Sequence, residues 1–320
     1  MKQDAWSLRR LARNVRGATP SPCGLRHVLG RPAGILTLSA KKSPMSLLTH
    51  NLGLLVAPAP YLGTNRQGVV AEICGRIREL APDVVGLCEV FADGERDEIR
   101  SALVDLYPHS AEGPDEADLE SDGGLLVLSK TPFLETSAMI YRDCDGPDCL
   151  ANKGIIHTRI QSENWATPLD LFYTHMQDIT TGNGVRTLYS QLRRMHQFMK
   201  RHANPAWPAI VMGDLNIPGA VTRHYSQLLR VLVGTMDCWT VAGNAPASGA
   251  TFVRDNNFYE DDDDRPTRDE RLDYVLLRAG KHAAPLLSEI EVVRFSHQGR
   301  SISDHFGLRA AFDQVAVIMP

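Results

Sequence analysis

No stretch of the 320-residue chain approaches the roughly 18 consecutive apolar residues of a bilayer-spanning helix; Gly, Pro or charge interrupts every run within about eight. No helix of this sequence should therefore cross a membrane. Six Cys are too few for a disulfide scaffold, and no internal repeat recurs at 20 to 50 residues. Aromatics are only 7% of the chain and are not interleaved with a basic stripe, so the groove of a single-strand nucleic-acid binder is missing. A leader with an apolar core of about 7 to 15 residues is also missing, because Ile35-Leu36-Thr37-Leu38 is too short and too late. This predicts a cytoplasmic location. What is present, 22% charged and 43% hydrophobic residues, is ordinary globular composition.

Charge is unevenly spread. Of 34 Lys and Arg and 38 Asp and Glu, the first 44 residues hold nine basic and one acidic, leaving 25 basic against 37 acidic in the body. An acidic body repels a phosphate backbone at long range, which makes nucleic acid a less natural partner than cations. The sequence divides into a basic N-terminal extension, 1–44, and a single catalytic domain, 45–320. The extension reads as a disordered arm, as sequence upstream of a true start at Met45, or as an organelle-type presequence. Cys74, Cys88 and Cys238 lie among apolar neighbours and should pack as reduced thiols. Cys144 and Cys149 flank Asp145-Gly146-Pro147-Asp148, a turn that can close a small disulfide and carries no zinc signature.

Short aliphatic runs between turn residues predict strands at Ser46–His50, Asp83–Val90, Gly124–Ser129, Gly154–Ile160, Leu169–Thr174, Ala209–Gly213, Leu272–Leu277, Glu291–Phe295 and Gly307–Phe312. Val69, Ile73, Ile77 and Leu80 mark one amphipathic helix behind a Thr64-x-x-Gln67 capping box. Val185, Leu188, Leu192 and Met195 mark a second, and Tyr225–Val233 a third. Both periodic helices need a sheet to cover. The run Glu260-Asp261-Asp262-Asp263-Asp264 reads as a solvated loop.

Six of these segments end in polar residues that a plain strand would not place there: Thr49-His50-Asn51, Leu87-Cys88-Glu89, Tyr173-Thr174-His175, Gly213-Asp214-Leu215-Asn216, Arg271-Leu272-Asp273-Tyr274 and Ser303-Asp304-His305. Strands present their ends at a common rim, so these groups should converge in one pocket. Asn51, Glu89, Asp214, Asn216 and Asp304 offer oxygens and no thiolates, a donor set for Mg²⁺, with Mn²⁺ as second choice, rather than zinc. A hard cation held by few carboxylates completes its shell with water and phosphate oxygens, which points to phosphoryl chemistry.

In their order and spacing these motifs resemble the endonuclease/exonuclease/phosphatase superfamily, over residues 46 to 312. The resemblance implies an α+β fold, a four-layer α/β/β/α sandwich. It implies Glu89 as principal metal ligand with Asn51 beside it and Asp304 supporting the metal or His305. His305 would be the general base, with Asp273 holding its imidazole. Asp214 would orient water or hold a second metal, and Asn216 and His175 would bind phosphoryl oxygens.

Asn152-Lys153-Gly154 and Thr174-His175-Met176-Gln177, with Thr251 to Asn257, resemble the neutral sphingomyelinase branch and place Lys153 and Gln177 at the substrate. The implied activity is Mg-dependent hydrolysis of a phosphodiester, foremost a phospholipid head-group linkage at a membrane surface. A nuclease or phosphomonoesterase on the same scaffold, and a silent binding module, are the other readings. The Trp common after the first motif in that branch is absent, since Asn51 is followed by Leu52-Gly53-Leu54-Leu55. No long hairpin with exposed aromatics is evident either.

Overall fold

The computed structural model describes residues 44–55, 66–115, 122–161, 165, 167–258, 266–281 and 284–313. Residues 1–43 of the basic segment, Thr64 of the capping box and the acidic run at 260–264 lie outside the described residues. The described residues belong to one compact unit, Lys42–Pro320.

In chain order the elements are β1 (Met45–Leu54), α1 (Arg66–Leu80), β2 (Val84–Val90), α2 (Asp93–Leu103), β3 (His109–Gly113), β4 (Leu125–Ser129), β5 (Phe133–Ile140), a 3-10 turn (Gly146–Leu150), β6 (Gly154–Ile160) and β7 (Leu169–His175). They continue with α3 (Gly184–His202), β8 (Ala209–Asp214), α4 (Thr222–Val231), β9 (Thr235–Asp237), α5 (Cys238–Val241), β10 (Asp273–Arg278), β11 (Leu286–Val293), the short pair β12 (Ser296–His297) and β13 (Arg300–Ser301), and β14 (Gly307–Asp313). Two six-stranded mixed sheets result, ordered β11-β14-β1-β2-β4-β3 and β5-β6-β7-β8-β10-β9.

The sheets stack because successive side chains of a strand point to opposite faces. On β2, Val84 and Cys88 enter the layer between the sheets with Leu47, Val127, Leu171, Ile210, Met212 and Val275. Val85 and Leu87 point the other way, onto Val70, Ile73 and Ile77 of α1. On the far side Leu188, Leu192, Met195 and Phe198 of α3 cover Phe172, Val211 and Leu276. Three apolar layers between four tiers of structure make the expected sandwich. Gly86 is fixed by this stacking, since a Cβ there would lie 2.3 Å from the Tyr173 ring of the facing sheet.

Each sheet has one parallel pair, β1 with β2 and β7 with β8, and each pair is bridged by a helix, α1 or α3. Those helices return the chain to the same side of the sheet, so both parallel strands finish at one rim. The nine predicted strands are all present. The segment expected at Glu291–Phe295 begins earlier, at Leu286, and Phe295 leaves the strand to pack in the α1 layer.

Candidate active site

Register brings the polar strand ends together. Asn51 on β1 stands beside Cys88 on β2, one residue short of Glu89. His175 on β7 stands beside Asp214 on β8, and Asp273, opening the antiparallel β10, also faces Asp214. His305 sits two residues before β14, which pairs antiparallel with β1. Ends of parallel strands and starts of antiparallel ones thus meet over a cleft of ≈ 590 Å³ lined by Glu89, Lys153, His175, Asp214, Asn216, Asp304 and His305.

The backbone is strained where the chemistry gathers. Glu89 has φ of 57° and Asn216 φ of 50°, a region that costs a side-chain-bearing residue about 1–3 kcal/mol. Gly213, just before Asp214, has φ of 136°, and a Cβ there would lie 1.9 Å from the Thr174 carbonyl oxygen. Only glycine lets β8 run this close to β7 and still deliver Asp214 to the rim.

His305 Nδ1 donates to Asp273 Oδ2 at 2.9 Å, and its Nε2 lies 3.7 Å from Asp214 Oδ2. Burial alone would lower its pKa. The charges of Asp273 and Asp214, the Asp273 hydrogen bond and the charge of Asp304 outweigh burial and hold it well above the ordinary imidazole value. Asp273 is itself oriented, for Thr251 Oγ1 accepts the backbone N–H groups of Leu272 and Asp273 at 3.2 and 3.3 Å. Ser303 Oγ donates to the Asn51 carbonyl at 2.7 Å and accepts the His305 N–H at 3.0 Å. His50 closes the back wall. Burial lowers it to about 4, so it is neutral, and its Nε2–H donates to the His305 carbonyl at 3.1 Å.

Asn51 does not stand as an open oxygen ligand. Its Nδ2 donates to Glu89 Oε1 at 3.0 Å and to Asp214 Oδ2 at 3.1 Å, while its Oδ1 accepts the Gly53 N–H at 3.1 Å. In this geometry the amide spaces two carboxylates. His175 Nε2 lies 3.7 Å from both Glu89 and Asp214. Burial, then the Lys153 charge, keeps His175 well below the usual histidine range and uncharged. Lys153 Nζ donates to His175 Nε2 at 3.1 Å and to the Met176 carbonyl at 3.0 Å, and pairs with Asp148 at 2.8 Å. Lys153 therefore reaches the cleft as a positioned charge. Asn216 Nδ2 donates to the Met176 carbonyl at 2.8 Å and lies 3.4 Å from His175 Nε2.

Gln177, expected at the substrate, is instead fully buried under the neighbouring loop. Its Oε1 accepts the Asp145 N–H at 2.9 Å, and its Nε2 donates to the Asp145 carbonyl at 2.9 Å and the Asp178 carbonyl at 3.1 Å. Those bonds tie down the Cys144–Cys149 loop, whose two cysteines are disulfide-bonded. Side chains that strand-end reasoning missed are Thr251, Phe252 and Asn256. The Phe252 ring lies 5.1 Å from His305, and Asn256 Nδ2 donates to the Ser303 and Asp304 carbonyls at 3.0 and 2.8 Å. They act largely through backbone groups, which leave no residue-type signature in a sequence.

A divalent cation fits this donor set. Burial and the Asp304 charge push Glu89 up to about 7, and burial pushes Asp214 up to about 6. Six carboxylates line the cleft against Lys153 and Arg268, more than these cations balance. Donor atoms of Asp214, Asp273 and His305 lie within 4.8 Å of one another. Glu89 and Asp304 line the same cleft.

The model of the Endonuclease/Exonuclease/phosphatase family matches residues 48–305, a span that takes in every one of these side chains. The chain belongs to this family. Among proteins similar to this chain, sphingomyelinase C from Bacillus cereus is 24% identical over 287 residues, 81% of this chain and 82% of that protein. A Staphylococcus aureus beta toxin mutant with bound magnesium ions superposes with a TM-score of 0.65 at 20% identity, over 84% of this chain and 99% of the toxin. D. rerio TDP2, complexed with single strand DNA product, superposes with a TM-score of 0.66 at 18% identity, over 85% of this chain and all of that one. The protein is thus a phosphoesterase-family member related at low identity to bacterial sphingomyelinases.

Proposed function

We propose that the protein is a metal-dependent phosphodiesterase that hydrolyses a phospholipid head-group linkage, in the manner of a sphingomyelinase. The observation that carries the chemistry is the buried Asp273–His305 pair facing Asp214 across the cleft. An imidazole whose Nδ1–H is held by a carboxylate presents the Nε2 lone pair to water once deprotonated. His305 would take the proton as the water oxygen bonds to phosphorus. The lipid alkoxide leaves in line on the far side and takes up a proton from solvent, and Asp273 stabilises the imidazolium that forms.

Glu89, with Asp304 and Asp214, would hold Mg²⁺ or Mn²⁺, which when bound supplies neutralising charge for the phosphoryl and leaving oxygens. Asn51 spaces Glu89 from Asp214. Lys153, Asn216 and His175 form the wall on which phosphoryl charge would accumulate. The lipid reading draws on the sphingomyelinase relatives and on the acidic body; the TDP2 likeness shows fold alone. Among the described residues no helix is long and apolar enough to cross a membrane, so the lipid would be met at a surface. A cytoplasmic location is a proposal only, and the Cys144–Cys149 bond, which suits an oxidising compartment, weighs against it.

A parallel assay decides among the substrates: sphingomyelin micelles, nicked plasmid and a phosphomonoester, each with EDTA and with restored Mg²⁺ or Mn²⁺. Lipid hydrolysis abolished by EDTA and restored by either metal is expected. Cleavage of DNA with inert lipid, or full activity in EDTA, would contradict the proposal.

A further inference from the structure

A second cluster of ligating side chains lies at the other end of the sheet ordered β5-β6-β7-β8-β10-β9. It sits beside Asp170, which precedes His175 by five residues on β7, roughly 17 Å at a strand's usual rise. Glu135 of β5, His157 of β6 and His202, the last residue of α3, each bring one donor atom within 4.8 Å of the others. Nothing in the phosphodiesterase reading uses them.

His157 is 0% exposed and stacks on Phe172 at 4.7 Å, with the His202 ring 5.5 Å away. Its Nε2 lies 2.9 Å from Asp170 Oδ1, which fixes the proton on that nitrogen and leaves the lone pair on Nδ1. His157 Nδ1 is buried and has no hydrogen-bond partner among the described residues. A buried acceptor without a donor costs about 1–3 kcal/mol, which a cation or a water at Nδ1 would recover. A carboxylate behind an imidazole is also the usual support of a metal-bound histidine, orienting the ring and raising its basicity.

The other two donors are prepared in a similar way. Arg159 hydrogen-bonds Glu135 Oε2, leaving Glu135 Oε1 facing His202 Nδ1 at 3.8 Å. The same guanidinium donates to Asp170 Oδ1 at 2.9 Å and to the His202 carbonyl at 2.8 Å, which pins the end of α3 over the sheet. His202 and Glu135 are partly exposed, so an ion can enter from solvent and keep a water. Two imidazole nitrogens and one carboxylate oxygen suit a zinc-type cation and not Mg²⁺, which avoids imidazole-rich sites. Metal–ligand bonds of 2.0–2.1 Å in a tetrahedron separate donors by about 3.4 Å, so donors within 4.8 Å of one another need close by at most about 1.4 Å.

We infer that Glu135, His157 and His202 form a second metal site, apart from the cleft, that binds Zn²⁺ with water in the fourth position and ties β5, β6 and the end of α3 together. It stands whether or not the phosphodiesterase reading does. The test titrates metal-stripped full-length protein with Zn²⁺ against a chromophoric chelator, in constant millimolar Mg²⁺, and repeats the titration with Co²⁺. The wild type should bind zinc tightly, give the visible bands of tetrahedral cobalt and melt at a higher temperature with zinc.

His202→Ala and Glu135→Gln should each lose one zinc equivalent or weaken its binding by roughly 100-fold or more, whereas the cleft variant Glu89→Gln should keep it. If His202→Ala fails to fold, Glu135→Gln decides alone. Unchanged zinc stoichiometry and affinity in the folded His202 or Glu135 variants, absence of zinc binding to the wild type, or loss confined to Glu89→Gln would overturn the assignment.

Discussion

His305 and its neighbours set the chemistry one proton at a time. Without a cation, Asp273 and Asp214 keep His305 protonated at neutral pH, while Glu89 and Asp214 titrate near 7 and 6. A divalent ion needs both carboxylates ionised, so protons compete with it at low pH. Apparent Mg²⁺ affinity should therefore rise from about pH 5.5 to about pH 8, with proton release on binding. Calorimetry in buffers of different ionisation heat measures this, and a pH-independent affinity would contradict the charge balance described for the cleft. Asp273→Asn keeps the shape and removes the charge that supports the imidazolium. Turnover should fall by about 10²–10⁴-fold with the circular dichroism spectrum unchanged, and near-normal turnover would remove Asp273 from its supporting role. At this scale the sequence was legible wherever a side chain acts for itself: Glu89, Asp214, Asp273, Asp304 and His305 all converge. Gln177 was misread because its motif neighbours His175, yet β7 ends at His175 and the chain after it buries the Gln177 amide in the loop. Thr251 and Asn256 stood out only within a segment that resembles the sphingomyelinase branch and carried no role, because their work is to hold backbone N–H and carbonyl groups.

Periodicity exposed the elements that bury one continuous face and hid those that do not. α3 buries Leu188, Leu192, Met195, Phe198 and Met199, a stripe readable at three- and four-residue steps. Leu192→Ala should cost about 2–5 kcal/mol by denaturant unfolding, because the residue is fully buried in the layer over β7 and β8. A change below about 1 kcal/mol would mean that this layer contributes little to holding the rim. α2, by contrast, reads Asp-Gly-Glu-Arg-Asp-Glu-Ile-Arg-Ser-Ala-Leu and shows only Ile99 and Leu103 as large apolar anchors, too few to signal a helix. The edge strands β3 and β5 were missed for a related reason. Phe133–Ile140 alternates between half-buried and exposed residues, and His109–Gly113 is short and polar, as edge strands that must resist further pairing often are.

At the scale of the whole molecule, two sheets from distant stretches of sequence must stack before any of this chemistry exists. Asn51 and Ser303 are hydrogen-bonded across 252 positions, and Asn51 and Asp214 across 163. Such separations explain why the strand ends suggested convergence in sequence but only the parallel pairs, each returned by its helix, show why they share a rim. The body's excess of acid also has its place at this scale, since it gives no long-range attraction to a nucleic-acid backbone and leaves the cleft to draw a cation. The measurement that tests the account most directly is anomalous diffraction from crystals grown with Mn²⁺. A manganese peak bonded to Glu89 and Asp304 or Asp214, with His305 Nε2 facing the same cleft, is the predicted result. Saturating Mn²⁺ that leaves this cleft without a peak would contradict it.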